Sequence, residues 1–161
     1  MQGSKKVVDR LNQLLTDELS AADQYFIHSR MYENWGFMAL YERLEHERLE
    51  ELEHAGRLIR RILFLEGTPD MASRTPLKVG RSVPEMLRND LDYELAVVIS
   101  LRQAIALCEE ERDFETRRIL TDLLKDTEED HAYWLEQQLR LIELVGPENY
   151  RQTAIGKGEA S

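Results

Sequence analysis

Two tetrads of the form Glu-x-x-His, Glu51-Leu52-Glu53-His54 and Glu128-Glu129-Asp130-His131, constrain this chain most, because each falls on an apolar helical stripe. Leu44 stands seven residues before Glu51, Leu58 seven after and Ile62 eleven after; Thr121, Leu124, Leu135 and Leu139 flank Glu128 in the same way. At about 100° per residue such positions share one helix face. Two further stripes carry a single acid each. Glu18 lies among Leu11, Leu14, Ala22 and Tyr25, and Glu94 among Leu87, Leu91, Leu101 and Ile105. A carboxylate facing a core must pair, take up a proton or bind a cation. The order is Glu, Glu-x-x-His, Glu, Glu-x-x-His, with 33 residues from Glu18 to Glu51 and 34 from Glu94 to Glu128, as if one pattern were used twice.

The same periodicity predicts helices over residues 5–34, 38–65, 83–111 and 114–145, and a short amphipathic piece over 147–155. Asn34-Trp35-Gly36, Glu66-Gly67-Thr68-Pro69 and Gly146-Pro147 supply the stops. Ser82-Val83-Pro84-Glu85 reads as a capping box, and Asp113 as the N-cap of the fourth helix. Residues 66–83 have no helical period. At about 3.3 Å each, such a loop can outreach a long helix and start the third helix at the opposite end of the bundle. The expected architecture is all-α: an antiparallel four-helix bundle with one long crossover loop and a short fifth helix, in one domain spanning 1–161. No strand pattern appears. The fifth helix is too short to be stable alone and is expected to pack on symmetry mates. The tail Gly156–Ser161 is expected to be disordered.

The formal charge of −10 argues against nucleic acid and against an anionic membrane surface, and favours cations as ligands. No apolar run is long enough to span a bilayer, and the N-terminal residues lead into an amphipathic helix rather than a signal-peptide core. Cys108, the single cysteine, allows no internal disulfide and is expected to be a small buried residue. A cytoplasmic location follows.

One inward acid per helix, with a histidine beside two of them, brings four carboxylates and two imidazoles to mid-bundle. Four negative charges balance two divalent ions, and mixed oxygen and nitrogen donors suit iron or manganese. The absence of thiolate sets disfavours structural zinc or an iron–sulfur cluster. The candidate metal ligands are Glu18, Glu51, His54, Glu94, Glu128 and His131. Tyr25 shares a face with Glu18 and could supply an electron or a proton. His46 and Glu50 form an i,i+4 pair directed away from the Glu51 stripe, a possible second iron site. The charged run Glu42, Arg43, Glu47, Arg48, Glu50 and Glu53 reads as a solvated face, His28 as a surface or interface histidine, and Trp134 as packing.

With these residues placed, the chain resembles the bacterioferritins, bacterial members of the ferritin family. The resemblance runs through Asp17-Glu18-Leu19, Gln24-Tyr25-Phe26, Asn34-Trp35-Gly36, Arg61-Ile62-Leu63-Phe64-Leu65-Glu66-Gly67, Glu85-Met86-Leu87, Glu128-Glu129-Asp130-His131 and Trp134-Leu135-Glu136. It implies a ferritin-like bundle and a two-fold-paired shell of 24 subunits that oxidises Fe²⁺ at an intra-subunit di-iron centre and stores ferric mineral. It further implies that Glu51 and Glu128 bridge the irons, that Glu18 with His54 and Glu94 with His131 complete them, that Tyr25 is redox-active, and that His46 and Glu50 bind iron on the inner surface. One departure matters. The family's haem-ligating methionine, just after the first bridging glutamate, is Leu52 here, which has no donor atom. Haem is therefore doubtful in a homo-oligomer, and a methionine-bearing bacterioferritin subunit becomes a possible partner, as does a ferredoxin-type reductant. The rival expectations are a structural subunit of a mixed shell with little activity of its own and a di-iron oxidoreductase acting on another substrate.

Overall fold

The computed structural model describes residues 1–156; the tail from residue 157 onward, and the expectation of disorder there, lie outside the described residues. The described residues form helices α1 (Lys5–Trp35), α2 (Met38–Phe64), α3 (Val83–Glu110), α4 (Phe114–Asp126), α5 (Tyr133–Val145) and α6 (Pro147–Ile155). A π-helical turn, Thr127–Ala132, joins α4 to α5, so the three make one continuous fourth rod. No strand occurs among the described residues.

Local chemistry sets the ends. Gly36, at φ 83°, reverses the chain after α1, and the Gly36 and Phe37 N–H groups donate to the Glu33 and Tyr32 carbonyls. Ser82 caps α3 by accepting from the Glu85 N–H at 3.3 Å. The α3–α4 junction turns on Arg112 instead of a glycine, at φ 58°, after which Asp113 accepts from the Thr116 N–H at 3.0 Å. Arg61 of α2 clamps this corner from outside, donating to Asp113 and Thr116.

The crossover loop lies along α1 and is read by its polar side chains in order. Asp70 N–H donates to Asn12, Thr75 N–H to Ser20, Lys78 N–H to Gln24 and Gly80 N–H to His28. Loop and helix numbers rise together, so the loop runs parallel to α1. It therefore delivers α3 to the end where α1 finishes, antiparallel to α1 and parallel to α2. Gly80 is required there, since a Cβ would come within 2.6 Å of the Met86 backbone nitrogen.

The core is divided. Val7, Leu11, Leu14, Leu58, Ile62, Leu101, Leu120 and Leu123 fill one end. Tyr32, Leu40, Leu44, Met86, Leu87, Leu135 and Tyr150 fill the other. Each such side chain contributes about 1.5–3 kcal/mol, which is what allows a polar layer to exist between the two clusters. The short α6, expected to pack on symmetry mates, packs on its own chain: Tyr150 and Ala154 are buried in the second cluster, and Tyr150 Oη donates to Gln138 at 2.9 Å. Cys108 is buried and free.

Candidate metal centre

Between the two clusters lie Glu18 of α1, Glu51 and His54 of α2, Glu94 of α3 and His131 of the π turn, none more than 3% exposed. Donor atoms of Glu18, Glu51 and His54 fall within 4.8 Å of one another, as do those of Glu51, Glu94 and His131. Glu51 belongs to both groups and is the one carboxylate placed between them. The His54 and His131 rings stack with centroids 5.7 Å apart. A third group, Glu47, Glu50, Asp130 and His131, shares His131 on its other side, through Nε2.

The polar atoms of this layer are close without being paired. His131 Nδ1 lies 2.7 Å from Glu51 Oε1, and His54 Nδ1 is 3.7 Å from Glu18 Oε2, yet none of these atoms has an aligned hydrogen bond. Both Glu18 oxygens are likewise without a partner. Buried donors that converge but do not bond to each other are what a cation-binding set requires, because unpaired buried polar groups are otherwise costly. The outward nitrogens are held. His54 Nε2 lies 3.1 Å from Asp126, and His131 Nε2 lies 2.7 Å from Glu50 and 2.9 Å from Glu47. Such partners fix the ring orientation and leave each Nδ1 facing inward.

Protons balance this layer. Burial, and then the charge of Glu51, push the Glu18 carboxyl up to about 8. Burial alone would lower both histidines. The carboxylates of Glu18 and Glu51 instead carry His54 up to about 11, while Glu94, Glu47, Glu50 and Glu51 drive His131 far above its ordinary value. Tyr25 donates its hydroxyl to Glu94, and burial followed by the Glu94 charge raises its phenol well above the usual range.

Glu128 is elsewhere. Its Oε1 lies 2.6 Å from Arg102 Nη2 on an open face, with the side chain 37% exposed. The position expected for Glu128 is held by Thr127, 1% exposed, whose Oγ1 donates back to the Leu123 carbonyl. The cause is the π turn. Buried positions along the rod step by four from Leu123 through Thr127, His131 and Leu135 to Leu139, and in an α-helix each such step drifts about 40°. A wider turn absorbs one extra residue, about 100°, and so offsets most of the drift. The stripe of Thr121, Leu124 and Glu128 extends the register of α5 backwards through a turn that is not α-helical.

Three residues that periodicity alone did not single out join the layer. Glu47, read as part of a solvated face, is 1% exposed. Its signal was present, for Leu40, Leu44, Glu47, Glu51, His54 and Leu58 repeat at steps of four and three. Asp126 and Asp130 had no such signal, since both depend on the π register. His28 is fully buried and not at the surface; its Nδ1 meets Asp90 at 2.8 Å and its Nε2 accepts from Gly80. His46, 59% exposed, lies 3.0 Å from Glu50, and Trp134 packs under Arg43.

The five inward residues, all oxygen or imidazole-nitrogen donors, fit a divalent ion such as Fe²⁺ or Mn²⁺. Comparison with known proteins agrees with that chemistry. A family model described as ferritin-like domain matches residues 8–145. A bacterial ferritin of Pseudomonas aeruginosa is 60% identical over 155 residues, covering 96% of this chain and 100% of that one. One of Synechocystis is 55% identical over 153 residues, covering 95% and 98%. A bacterioferritin of Brucella melitensis is 38% identical over 152 residues, covering 94% of each. With this match along almost its whole length, and with a bundle built around a layer of carboxylates and imidazoles, the chain belongs to the ferritin family.

Proposed function

We propose that this protein is an iron-storage ferritin subunit that oxidises Fe²⁺ to Fe³⁺ at the paired centre. The observation that carries the reading is Glu51 shared between two groups of buried, converging donors, Glu18–Glu51–His54 and Glu51–Glu94–His131, in which Glu18, Glu51 Oε1 and both histidine Nδ1 atoms have no hydrogen-bond partner. Relatives named bacterial ferritin support it. Two Fe²⁺ enter as substrate and displace the protons held by Glu18, His54 and His131. Each iron gives one electron to O₂ or peroxide, and carboxylates favour the more highly charged product. Tyr25, hydrogen-bonded to Glu94, is placed to lend an electron while its proton passes to that carboxylate. Glu47, Glu50, Asp130 and His131, with His46 beyond Glu50, offer the next donors for Fe³⁺ on its way to the mineral.

The cleft beside Tyr25 and Glu94 holds no void large enough for a water molecule, against the roughly 300 Å³ typical of small-molecule sites, which disfavours an organic substrate. The exposed side chains Leu49 and Leu52 on α2 and Phe26 on α1 offer apolar surface for two-fold pairing within a 24-subunit shell. Leu52 supplies no haem ligand, so haem enters only with a methionine-bearing subunit, and a ferredoxin-type protein is the expected electron donor for iron release. No helix among the described residues is long and apolar enough to cross a membrane; a single unpaired cysteine favours the cytoplasm. One observation favours the second reading, a mainly structural subunit: with Glu128 outside, the paired centre has three carboxylates instead of four. Anaerobic Fe²⁺ titration followed by oxygen admission separates the two. About two Fe²⁺ per chain with prompt O₂ uptake, lost in Glu51→Ala, supports the ferroxidase; binding without uptake supports the structural subunit.

A further inference from the structure

The donors around Glu47 already hold a cation, and it belongs to the protein. Arg43 stands one turn before Glu47 on α2. Its Nε donates to Glu47 Oε1 at 2.5 Å and its Nη2 to Asp130 Oδ1 at 2.9 Å, so it ties α2 to the π turn. The central guanidinium carbon lies 4.7 Å from the centroid of the Trp134 ring. Glu47 is buried; its Oε2 has no aligned hydrogen bond and faces His131 Nε2. Glu50 completes a set whose four donor atoms lie within 4.8 Å.

A guanidinium stays charged at any working pH, so Arg43 cannot leave by losing a proton. A divalent cation entering this set would share Glu47 and Asp130 with a fixed positive charge a few ångströms away, and the two repel. Arg43 has somewhere to go. Its side chain is 27% exposed, and the indole face attracts a guanidinium without any carboxylate.

Resting on the reading of the centre as an iron site, we propose that Arg43 is a tethered competitor for metal. It holds Glu47 and Asp130 in the metal-free protein and yields them to an arriving divalent cation by shifting its seat on the Trp134 ring. It thereby sets how tightly iron is retained after leaving the paired centre. Without it the donor set becomes a trap; with it, a transit point.

Zn²⁺, which has no redox chemistry, is the probe, titrated calorimetrically into the metal-free full-length protein. A Trp35→Phe background leaves Trp134 as the only tryptophan, so emission reports the seat of Arg43. Arg43→Gln is expected to bind one Zn²⁺ per chain at least tenfold tighter, and Asp130→Asn added to it should remove that gain. With Arg43 present, Zn²⁺ should change Trp134 emission; in Arg43→Gln the change should vanish. Unchanged or weaker Zn²⁺ binding in a helical Arg43→Gln variant overturns the proposal. Should that variant lose its helical spectrum, the emission titration of the protein with Arg43 decides, and a flat response refutes it. The Arg43 effect should persist in a Glu18→Gln, Glu94→Gln background. If that background loses no Zn²⁺ ions, the reading of the paired centre fails separately.

Discussion

Glu128 reaches outward to Arg102, 2.6 Å away, while its neighbour Thr127 is the buried one of the two. One extra residue, accommodated as a π turn, decides which of two neighbours faces the centre. Removing Thr127 should therefore convert the turn to α-helix and set Glu128 four residues after Leu123, on the inward stripe. We expect ΔThr127 to bind Zn²⁺ at the paired centre about tenfold more tightly, because a fourth carboxylate completes charge balance. The metal-free form should melt at lower temperature, since another buried acid must be protonated or repelled. Calorimetric titration and thermal melts check both; unchanged affinity in a folded deletion variant would count against the register argument.

The ion pair itself should matter little to stability. Arg102 and Glu128 are 64% and 37% exposed, and exposed pairs contribute about 0–1 kcal/mol. Arg102→Ala should shift the denaturation midpoint only slightly. A loss above about 2 kcal/mol would mean that Arg102 holds the π turn in place.

The pH dependence of stability should reverse with metal. Glu18, pushed from 4.5 to about 8, and His54, pushed from 6.5 to about 11, both bind protons more tightly when folded. Stability from such groups is complete below their unfolded values and is lost as pH rises through the folded ones. The metal-free protein should thus lose thermal stability as pH rises from 4.5, through about 8 for Glu18 and up to about 11 for His54. Zn²⁺ must displace those protons, so its affinity should rise over the same range, with protons released to the buffer. A metal-free melting temperature independent of pH would refute this account.

The crossover loop offers a test away from the metal. Asp90 accepts from Gln24 and His28, both of which also hold loop N–H groups. His28→Ala leaves a buried carboxyl short of a donor and the Gly80 N–H unpaired. The expected cost is about 2–4 kcal/mol by chemical denaturation. Trypsin should also cut faster at Arg74 and Lys78, which lie on the tethered stretch. Cleavage at the native rate would show that the other tethers suffice.

What the sequence made legible follows from period. Glu18, Glu51, His54 and Glu94 lie on uninterrupted α-helical stripes, where a step of three or four residues means the same face at every turn. The crossover was legible from loop length, because reach is simple arithmetic. Glu128 was misplaced because a period cannot announce its own interruption. Nothing in Thr127-Glu128-Glu129-Asp130 says that the turn there widens. His28 was misread for a different reason: its partners, Asp90 and Gly80, are about 50–60 residues away, beyond any local pattern. Glu47 lay on the stripe all along, hidden by charged neighbours that do face solvent.

The haem question turns on Leu52. One residue past the inward Glu51, its side chain points about 100° away from the centre, and it is 42% exposed beside Leu49 at 57%. These two leucines give α2 an apolar outer edge suited to a second copy of the same helix across a two-fold axis. A thioether at position 52 could reach haem iron from each copy; an isobutyl group can only pack. Recombinant protein supplied with haem should therefore show no Soret band from bis-thioether ligation, while Leu52→Met should acquire one. Because Leu and Met have similar volumes, the substitution should cost under about 1.5 kcal/mol and leave assembly intact. An absorption spectrum of both proteins after removal of free haem makes the comparison. An intense band in the unmodified protein would mean that another side chain supplies the ligand.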